Sequence, residues 1–362
     1  MKMIHCADLH LDSKMTANLS KDKAKERKNE ILRTFTRMVD YARQQNVSVI
    51  LISGDMFDTR NVSAMVRNTV KDMMLQNPSI DFLYLKGNHD TDNFLSKLDE
   101  IPENLCLFGD NWTTYRYGAI TISGLELCSA NRHTAYNTLV LNHEDYNIVM
   151  MHGQLAEYQS RDNAEVISLD SLKNKNIDYL ALGHVHEFKV DQLDNRGVWC
   201  YPGCLEGRGF DECGEKGFVV LDINETTHEA KLEFLPMASR NLYTLPVDVT
   251  GITTTREAAR KMEEAVGEAG YSSKSMVKFV LTGEVDVECE LDTRFLEEQF
   301  LEYFYFEKVY DKTRLMVNYG DYEKDASLKG EFVRLVSTSD LSEEEKSKVI
   351  RMGILALAGE EI

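Results

Sequence analysis

Apolar positions along the first two-thirds of the chain fall into short continuous runs, separated by longer stretches with helical spacing. Residues 2–6 form one such run. Val47–Ser53 (VSVILIS) is another, rich in β-branched residues and closed by Gly54. It is too short for a helix and shows no polar alternation, which is the pattern of a strand buried on both faces. Phe82–Leu85, Ala119–Ile122, Asn147–Met151 and Tyr179–Leu182 repeat it. Between the first two runs, Ile31, Phe35, Met38 and Ala42 recur at helical spacing with Leu32 and Val39 beside them. This predicts a helix over residues 20–45, with Ser20 as its N-cap. A second helix is predicted over Ala64–Leu75, ahead of Pro78, and Gly217–Ile223 with Lys231–Leu235 reads as an antiparallel pair. Strands alternating with helices in this way predict a layered α/β domain.

The pattern changes at Pro236–Arg240, which predicts a boundary between a domain over 1–236 and a smaller one over 240–362. In the second part Leu242–Val249, Met276–Thr282 and Tyr305–Tyr310 read as strands, and Thr254–Ala269 and Asp292–Tyr303 as helices. Val285, Val287, Cys289 and Leu291 alternate with acidic residues, predicting a half-buried strand with an acidic outer face. Ser342 and Glu345 stand at capping-box spacing ahead of a closing helix that reaches Ala358. The smaller domain is therefore expected to be α+β.

Composition narrows the class. An apolar content of 43 % in 362 residues supports packed cores and excludes a disordered chain. No apolar run is long enough to span a bilayer, so no membrane association is expected. The opening MKMIHCADLH lacks a long apolar segment, so no secretory leader is expected. The seven scattered cysteines form no CxxC pair, which suits a reducing cytoplasm. The net charge of -19 is shared by both parts: 25 basic against 35 acidic side chains in 1–236, and 16 against 25 in the rest. Loose polyanion binding over the whole surface is thereby excluded.

The candidate chemistry lies at the ends of the buried runs. Five stretches share one design: Asp8-Leu-His10, Gly54-Asp55-Met-Phe-Asp58, Gly87-Asn88-His89-Asp90, His152-Gly153 and Gly183-His184-Val-His186. Singly, each is an ordinary turn after a strand. Together, a parallel or mixed sheet would bring them to one edge, where open α/β sheets bind ligands. Carboxylate with imidazole suits manganese, iron or zinc better than magnesium or calcium, which prefer all-oxygen shells. Seven such side chains exceed one open site, but they fit two sites sharing a carboxylate. His5, His133, His143 and His228 lie outside any such motif. Lys14, Lys21, Lys23, Lys25, Arg27 and Lys28 form a basic run that reads either as a solvated helix start or as a rim that tracks phosphates.

This set, in this order, resembles the calcineurin-like metallophosphoesterases. The openings IHCADLHLD and GDMFD, with Tyr201–Gly217 (YPGCLEGRGFDECGEKG), resemble SbcD-type DNA double-strand-break repair nucleases. The resemblance covers roughly residues 1–236 and implies an α/β/β/α sandwich carrying a two-metal nuclease site, followed by a capping domain. It assigns Asp8, His10, Asp55 and His186 to one divalent cation, and Asp55, Asn88, His152 and His184 to the other, with Asp55 bridging. Mn2+ is the expected metal, with Fe and Zn as alternatives. His89 becomes the catalytic histidine that protonates the leaving oxygen, Asp90 the group that holds its imidazole, and Asp58 a support behind the ligands. Arg208 reads either as a contact to substrate phosphate or as half of a structural ion pair. The implied activity is metal-dependent DNA exonuclease and endonuclease cleavage in DNA repair, beside an SbcC-type coiled-coil ATPase, and a homodimer is compatible with it. Two alternatives remain open at this point: a phosphodiesterase acting on a small nucleotide or lipid phosphodiester, and a DNA-end-binding scaffold subunit of an ATPase complex.

Overall fold

The computed structural model describes residues 1–15, 19–58, 62–90, 94–156 and 166–358. The chain divides into two compact units, Met1–Ser239 and Arg240–Ile362.

The first unit contains β1 (Lys2–Cys6), α1 (Lys21–Gln44), β2 (Val49–Ser53), α2 (Ala64–Gln76), β3 (Asp81–Leu85), β4 (Leu105–Leu107), β5 (Thr113–Tyr117), β6 (Ile120–Gly124), α3 (Ala135–Thr138) and β7 (Tyr146–His152). It continues through β8 (Gln154–Leu155), β9 (Val166–Ile167), α4 (Leu169–Leu172), β10 (Tyr179–Gly183), β11 (Lys189–Gln192), β12 (Val198–Tyr201), β13 (Gly217–Ile223) and β14 (Ala230–Pro236). Two six-stranded sheets result, in the orders β14-β13-β1-β2-β3-β4 and β11-β12-β10-β7-β6-β5. Both are mixed: β1 to β4 run parallel, as do β6, β7, β10 and β12, while β13 and β14 extend the first sheet and β5 and β11 edge the second through antiparallel pairings.

The continuous apolar runs have a simple cause. Val49 and Leu51 of β2 face the second sheet, meeting Ile148, Met150 and Ala181 in a core between the sheets. Ile50 and Ile52 face the other way, packing with Ile31, Phe35, Met38 and Val39 of α1 and Val70 and Met74 of α2. Val149, Met151, Leu180 and Leu182 line the outer face of the second sheet against Leu155, Ile167 and Leu172. Strands covered on both faces carry no polar alternation. The layering is α/β/β/α: the pattern predicts a layered α/β domain, and the resemblance implies this particular sandwich. The edge strands β5 and β11, with their exposed polar positions, and the short β4 escape recognition in the sequence.

Ser20 caps α1 through a bond from the Lys23 N–H (3.3 Å). The helix carries an unexpected burden: Arg27, in the basic run, is fully buried. Its guanidinium pairs with Glu30 and, at 3.1 Å, with Glu206, and donates to the Gly207 carbonyl at 2.8 Å. Lys28 is paired with Asp12 at 2.6 Å. Arg27 therefore belongs to the interior and takes part neither in a solvated helix start nor in a rim that tracks phosphates.

The second unit holds β15 (Leu242–Asp248), α5 (Thr255–Ala269), β16 (Met276–Thr282), β17 (Glu284–Asp286), α6 (Thr293–Phe300), β18 (Phe306–Asp311), β19 (Arg314–Met316), α7 (Tyr319–Tyr322), α8 (Leu328–Ser337) and α9 (Glu343–Ala358). β15, β16 and β18 form a parallel three-stranded sheet, with α5 and α6 in its crossovers. A capping box at Thr254 and Glu257 starts α5, and Gly270 in the left-handed region ends it. The strand expected through Leu291 stops at Asp286, because the chain turns there: Cys289 N–H reaches the Asp286 carbonyl (2.9 Å) and Glu288 N–H its carboxylate (2.8 Å). Val285 is buried in β17 and Val287 and Cys289 in the turn that follows, while Leu291 is half-buried. Helix α8 has no counterpart in the sequence reading. No helix among the described residues is long and apolar enough to cross a membrane.

Candidate metal centre

The carboxyl ends of β1, β2, β3, β7 and β10 converge, and each ends in one of the five motifs. After β1, the chain runs alongside the turn that follows β2: Asp8 N–H bonds the Gly54 carbonyl (3.1 Å), His10 N–H that of Asp55 (3.0 Å) and Leu11 N–H that of Met56 (2.9 Å). The turn after β10 is tied to the first, since the Asp8 carboxylate accepts the His184 N–H at 3.0 Å on both oxygens. Gly54 makes room for the fourth element: it has φ +93°, and a β-carbon there would sit 2.0 Å from Nδ1 of His152.

Asp8, His10, Asp55 and His184 all hold positive φ (51°, 44°, 49° and 105°), a region non-glycine residues rarely occupy. Such strain costs on the order of 1–3 kcal/mol per residue and persists only where the surroundings over-determine it. Here it turns four ligand-type side chains inward from adjacent strand ends.

Two groups result. Asp8, His10 and His186 bring one ligand atom each within 4.8 Å of one another, and Asp55, His152 and His184 do the same. Asn88 joins the second group, its Oδ1 being 3.0 Å from Nε2 of His152. Asp8, His10, Asp55 and His152 are buried, while Asn88 and His89 are exposed at the rim.

Hydrogen bonding shows that these sites want cations. Nδ1 of His152 lies 2.9 Å from the Ser53 carbonyl, which can only accept, so this nitrogen carries the proton. A neutral His152 then presents a lone pair from Nε2 to the Asp55 carboxylate (3.4 Å) and the Asn88 amide oxygen. Acceptors facing one another require a proton or a metal between them. The other group repeats the arrangement. Nδ1 of His186 meets Glu212 Oε1 at 2.7 Å, and Nδ1 of His10 lies 3.3 Å from Asp58 Oδ1. The Glu212 bond turns Nε2 of His186 toward Nε2 of His10, 3.1 Å away, while Nδ1 of His10 lies near Asp58 without a hydrogen bond. The donor set fits a pair of divalent cations of the nitrogen- and oxygen-loving kind.

Without cations, protons and charges fill the gap. Burial opposes the imidazolium of His152, but the Asp55 carboxylate outweighs it and pushes the pKa up to about 9. Asp55 in turn is held below the usual carboxylate range by His152 despite its burial, and His10 contributes to the same effect. Burial lowers the pKa of His10, against the pull of Asp58. For His186, Glu212 outweighs burial and raises it. Glu212, although buried, is held far below its usual range by His186 and Arg208.

The remaining candidates fall as follows. The backbone N–H of His89 bonds Asp55 Oδ1 at 2.9 Å, and its ring stands edge-on to His10 with centroids 5.3 Å apart. Asp90 does not orient that ring. Its carboxylate accepts the backbone N–H groups of Met56 (3.2 Å), Phe57 (3.0 Å) and Gly87 (3.0 Å), so it fastens the β3 turn onto the β2 turn. Burial and the charge of Asp55 lift its pKa to about 6. Asp58 stands behind His10. Arg208 engages Asp58 (3.0 Å) and Glu212 (2.8 Å), which is the ion-pair arrangement. Glu212 escaped the sequence reading, although it lies within the Tyr201–Gly217 stretch. Its signal there was only an acidic residue four positions after an arginine, in a segment with no regular periodicity.

The sequence profile of the calcineurin-like phosphoesterases matches residues 1–188, and the chain belongs to that family. It is thus a metallophosphoesterase, a phosphoester hydrolase of a family that works with a dinuclear metal centre. Among curated proteins it is 27 % identical over 246 residues to the uncharacterized metallophosphoesterase YhaO of Bacillus subtilis, covering 65 % of this chain and 60 % of that one. It is 24 % identical over 300 residues to the DNA double-strand break repair protein Mre11 of Sulfurisphaera tokodaii, covering 78 % and 73 %. It also superposes on the solved structure of TT1561 of Thermus thermophilus with a TM-score of 0.41 at 12 % identity, over 64 % of this chain and 98 % of that one.

Proposed function

We propose that this protein is a metal-dependent DNA nuclease of the SbcD type, hydrolysing phosphodiester bonds as an exonuclease and endonuclease, with an SbcC-type ATPase as partner in the cytoplasm. The observation that carries the hydrolytic reading is the pair of facing acceptor clusters at five strand ends. DNA as substrate is supported by the likeness to relatives named as DNA double-strand break repair proteins.

Asp8, His10, Asp55 and His186 would hold one cation, and Asp55, Asn88, His152 and His184 the other, with Mn2+ suited to such mixed ligands. Two cations so held supply Lewis acidity to the phosphodiester and lower the pKa of the attacking water. The chain's own part is to keep the ligands turned inward through the strained turns and the buried carboxylates. His89, at the rim and tethered to Asp55 through its backbone, gives a proton to the leaving oxygen.

The test is hydrolysis by the purified chain in Mn2+, with linear duplex and single-stranded DNA beside small nucleotide and lipid phosphodiesters, with and without an SbcC-type ATPase. DNA cleavage that is lost in Asp55→Asn supports the reading. Hydrolysis of small diesters alone would move the assignment to a small-molecule phosphodiesterase. DNA-end binding without cleavage, with partner function retained in Asp55→Asn, would make the chain a scaffold subunit.

A further inference from the structure

We propose that Glu212, held by Arg208, is a positioning residue for one cation site only, and that the two sites are therefore unequal: the site of Asp8, His10 and His186 binds its cation more tightly than the site of Asp55, His152 and His184. The inference rests on the dinuclear reading above.

The two sites differ in what stands behind their imidazoles. In the first, both rings face carboxylates: Nδ1 of His186 is hydrogen-bonded to Glu212 Oε1 at 2.7 Å, and Asp58 Oδ1 stands at ion-pair distance, 3.3 Å, from Nδ1 of His10 without closing a hydrogen bond. One guanidinium joins the two carboxylates. Arg208 donates from Nη1 to Asp58 Oδ1 at 3.0 Å, and from Nη2 and Nε to Glu212 Oε1 at 2.8 and 3.2 Å. Its backbone N–H takes the other Glu212 oxygen at 2.7 Å. The ring from His186 through Glu212, Arg208 and Asp58 back to His10 is closed by the 3.1 Å approach of the two Nε2 atoms. Ser13 Oγ fixes the second oxygen of Asp58 at 2.9 Å, and the buried Lys216 ammonium holds the His186 carbonyl at 2.7 Å.

The second site has no such frame. His152 leans on a neutral backbone carbonyl, that of Ser53. No hydrogen bond to a carboxylate backs the ring of His184 among the described residues. The ligands themselves differ in the same direction, since Asp8 is anionic where Asn88 is neutral.

A carboxylate behind a ligating imidazole fixes its tautomer and orientation and makes the facing nitrogen a better donor, and losing it typically lowers metal affinity by about 10–100-fold. A peptide carbonyl fixes the tautomer without adding charge. Arg208 keeps Asp58 and Glu212 side by side and aimed at their rings, where two bare carboxylates would repel.

The test is titration of the metal-free full-length chain with Mn2+, followed by calorimetry and by the electron paramagnetic resonance signal of free Mn2+. Wild type is expected to take up two ions in two steps at least about ten-fold apart. Glu212→Gln should weaken the tighter step by about 10–100-fold and leave the weaker one within about two-fold, with Glu212→Asp intermediate. If Glu212→Gln fails to fold, Asp58→Asn is expected to strike the same step. Two equal steps in wild type, or a variant that weakens both steps alike or neither, would overturn the asymmetry while leaving two ions bound. Fewer than two ions in wild type would overturn the dinuclear reading, and this inference with it.

Discussion

Gly183 and Ser53 meet backbone to backbone where the two large sheets converge, so that a β-carbon on Gly183 would lie 1.7 Å from the Ser53 carbonyl oxygen. The same carbonyl takes the Nδ1 proton of His152. Strand packing and ligand orientation therefore share one atom. Gly183→Ala should force β2 and β10 apart, destabilise the fold by about 1–3 kcal/mol as an overpacked core does, and lower the cation content at His152. Denaturant unfolding and metal analysis check it; wild-type values for both would contradict the close approach.

The metal-free protein should lose stability as the solution becomes alkaline. The folded pKa of His152 is raised from 6.5 to about 9 by Asp55, so its contribution is complete below pH 6.5 and disappears as the pH rises through about 9. That shift corresponds to about 3 kcal/mol. Unfolding of metal-free wild type against pH should show the decline, and Asp55→Asn should flatten it, because the partner charge is gone. An equally steep decline in the variant would mean that another group is responsible. Saturating Mn2+ should reverse the trend, since cation binding needs an unprotonated His152.

His89 stands outside both ligand groups, and its link to Asp55 runs through its backbone N–H. His89→Gln should therefore keep its metal content while the hydrolytic rate falls by about 10²–10⁴, the usual loss for one general acid. Metal loss in this variant would make His89 a ligand instead.

Arg27 is completely buried between two carboxylates. Arg27→Met removes the guanidinium charge that faces buried Glu30 and Glu206 and should destabilise the first unit by about 3–5 kcal/mol. Adding Glu206→Gln should recover part of that. Equilibrium unfolding of the single and double variants measures the coupling, and strict additivity would show that the pair does not act together.

Binding of the isolated chain to DNA should be weak and shallow in its salt dependence. The net charge is -19, and among the described residues Arg27 is interior and Arg208 is engaged by Asp58 and Glu212, so neither arginine is available to phosphates. With about -0.9 in log–log slope per neutralised phosphate, a slope smaller in magnitude than about 3 is expected. Titrations at several salt concentrations, with and without an SbcC-type partner, decide it. A steep slope for the chain alone would reveal a basic face elsewhere.

Much of this protein is legible residue by residue. Runs such as VSVILIS could only be strands covered on both faces, and the spacing of Ile31, Phe35, Met38 and Ala42 could only be a helix, because such periodicities reflect local geometry. The glycines and ligand-type side chains that follow each strand were visible for the same reason. Tertiary structure alone decided which of them meet. His10 and His186 lie 176 positions apart, and their 3.1 Å approach depends on the pairing of two sheets that no local pattern encodes. It decided too that Asp90 fastens a turn, that Arg27 is interior, and that Glu212 stands behind His186. Each of these roles is set by the partner that a side chain finds across the fold, and a charged residue's partner cannot be read from its neighbours in the chain.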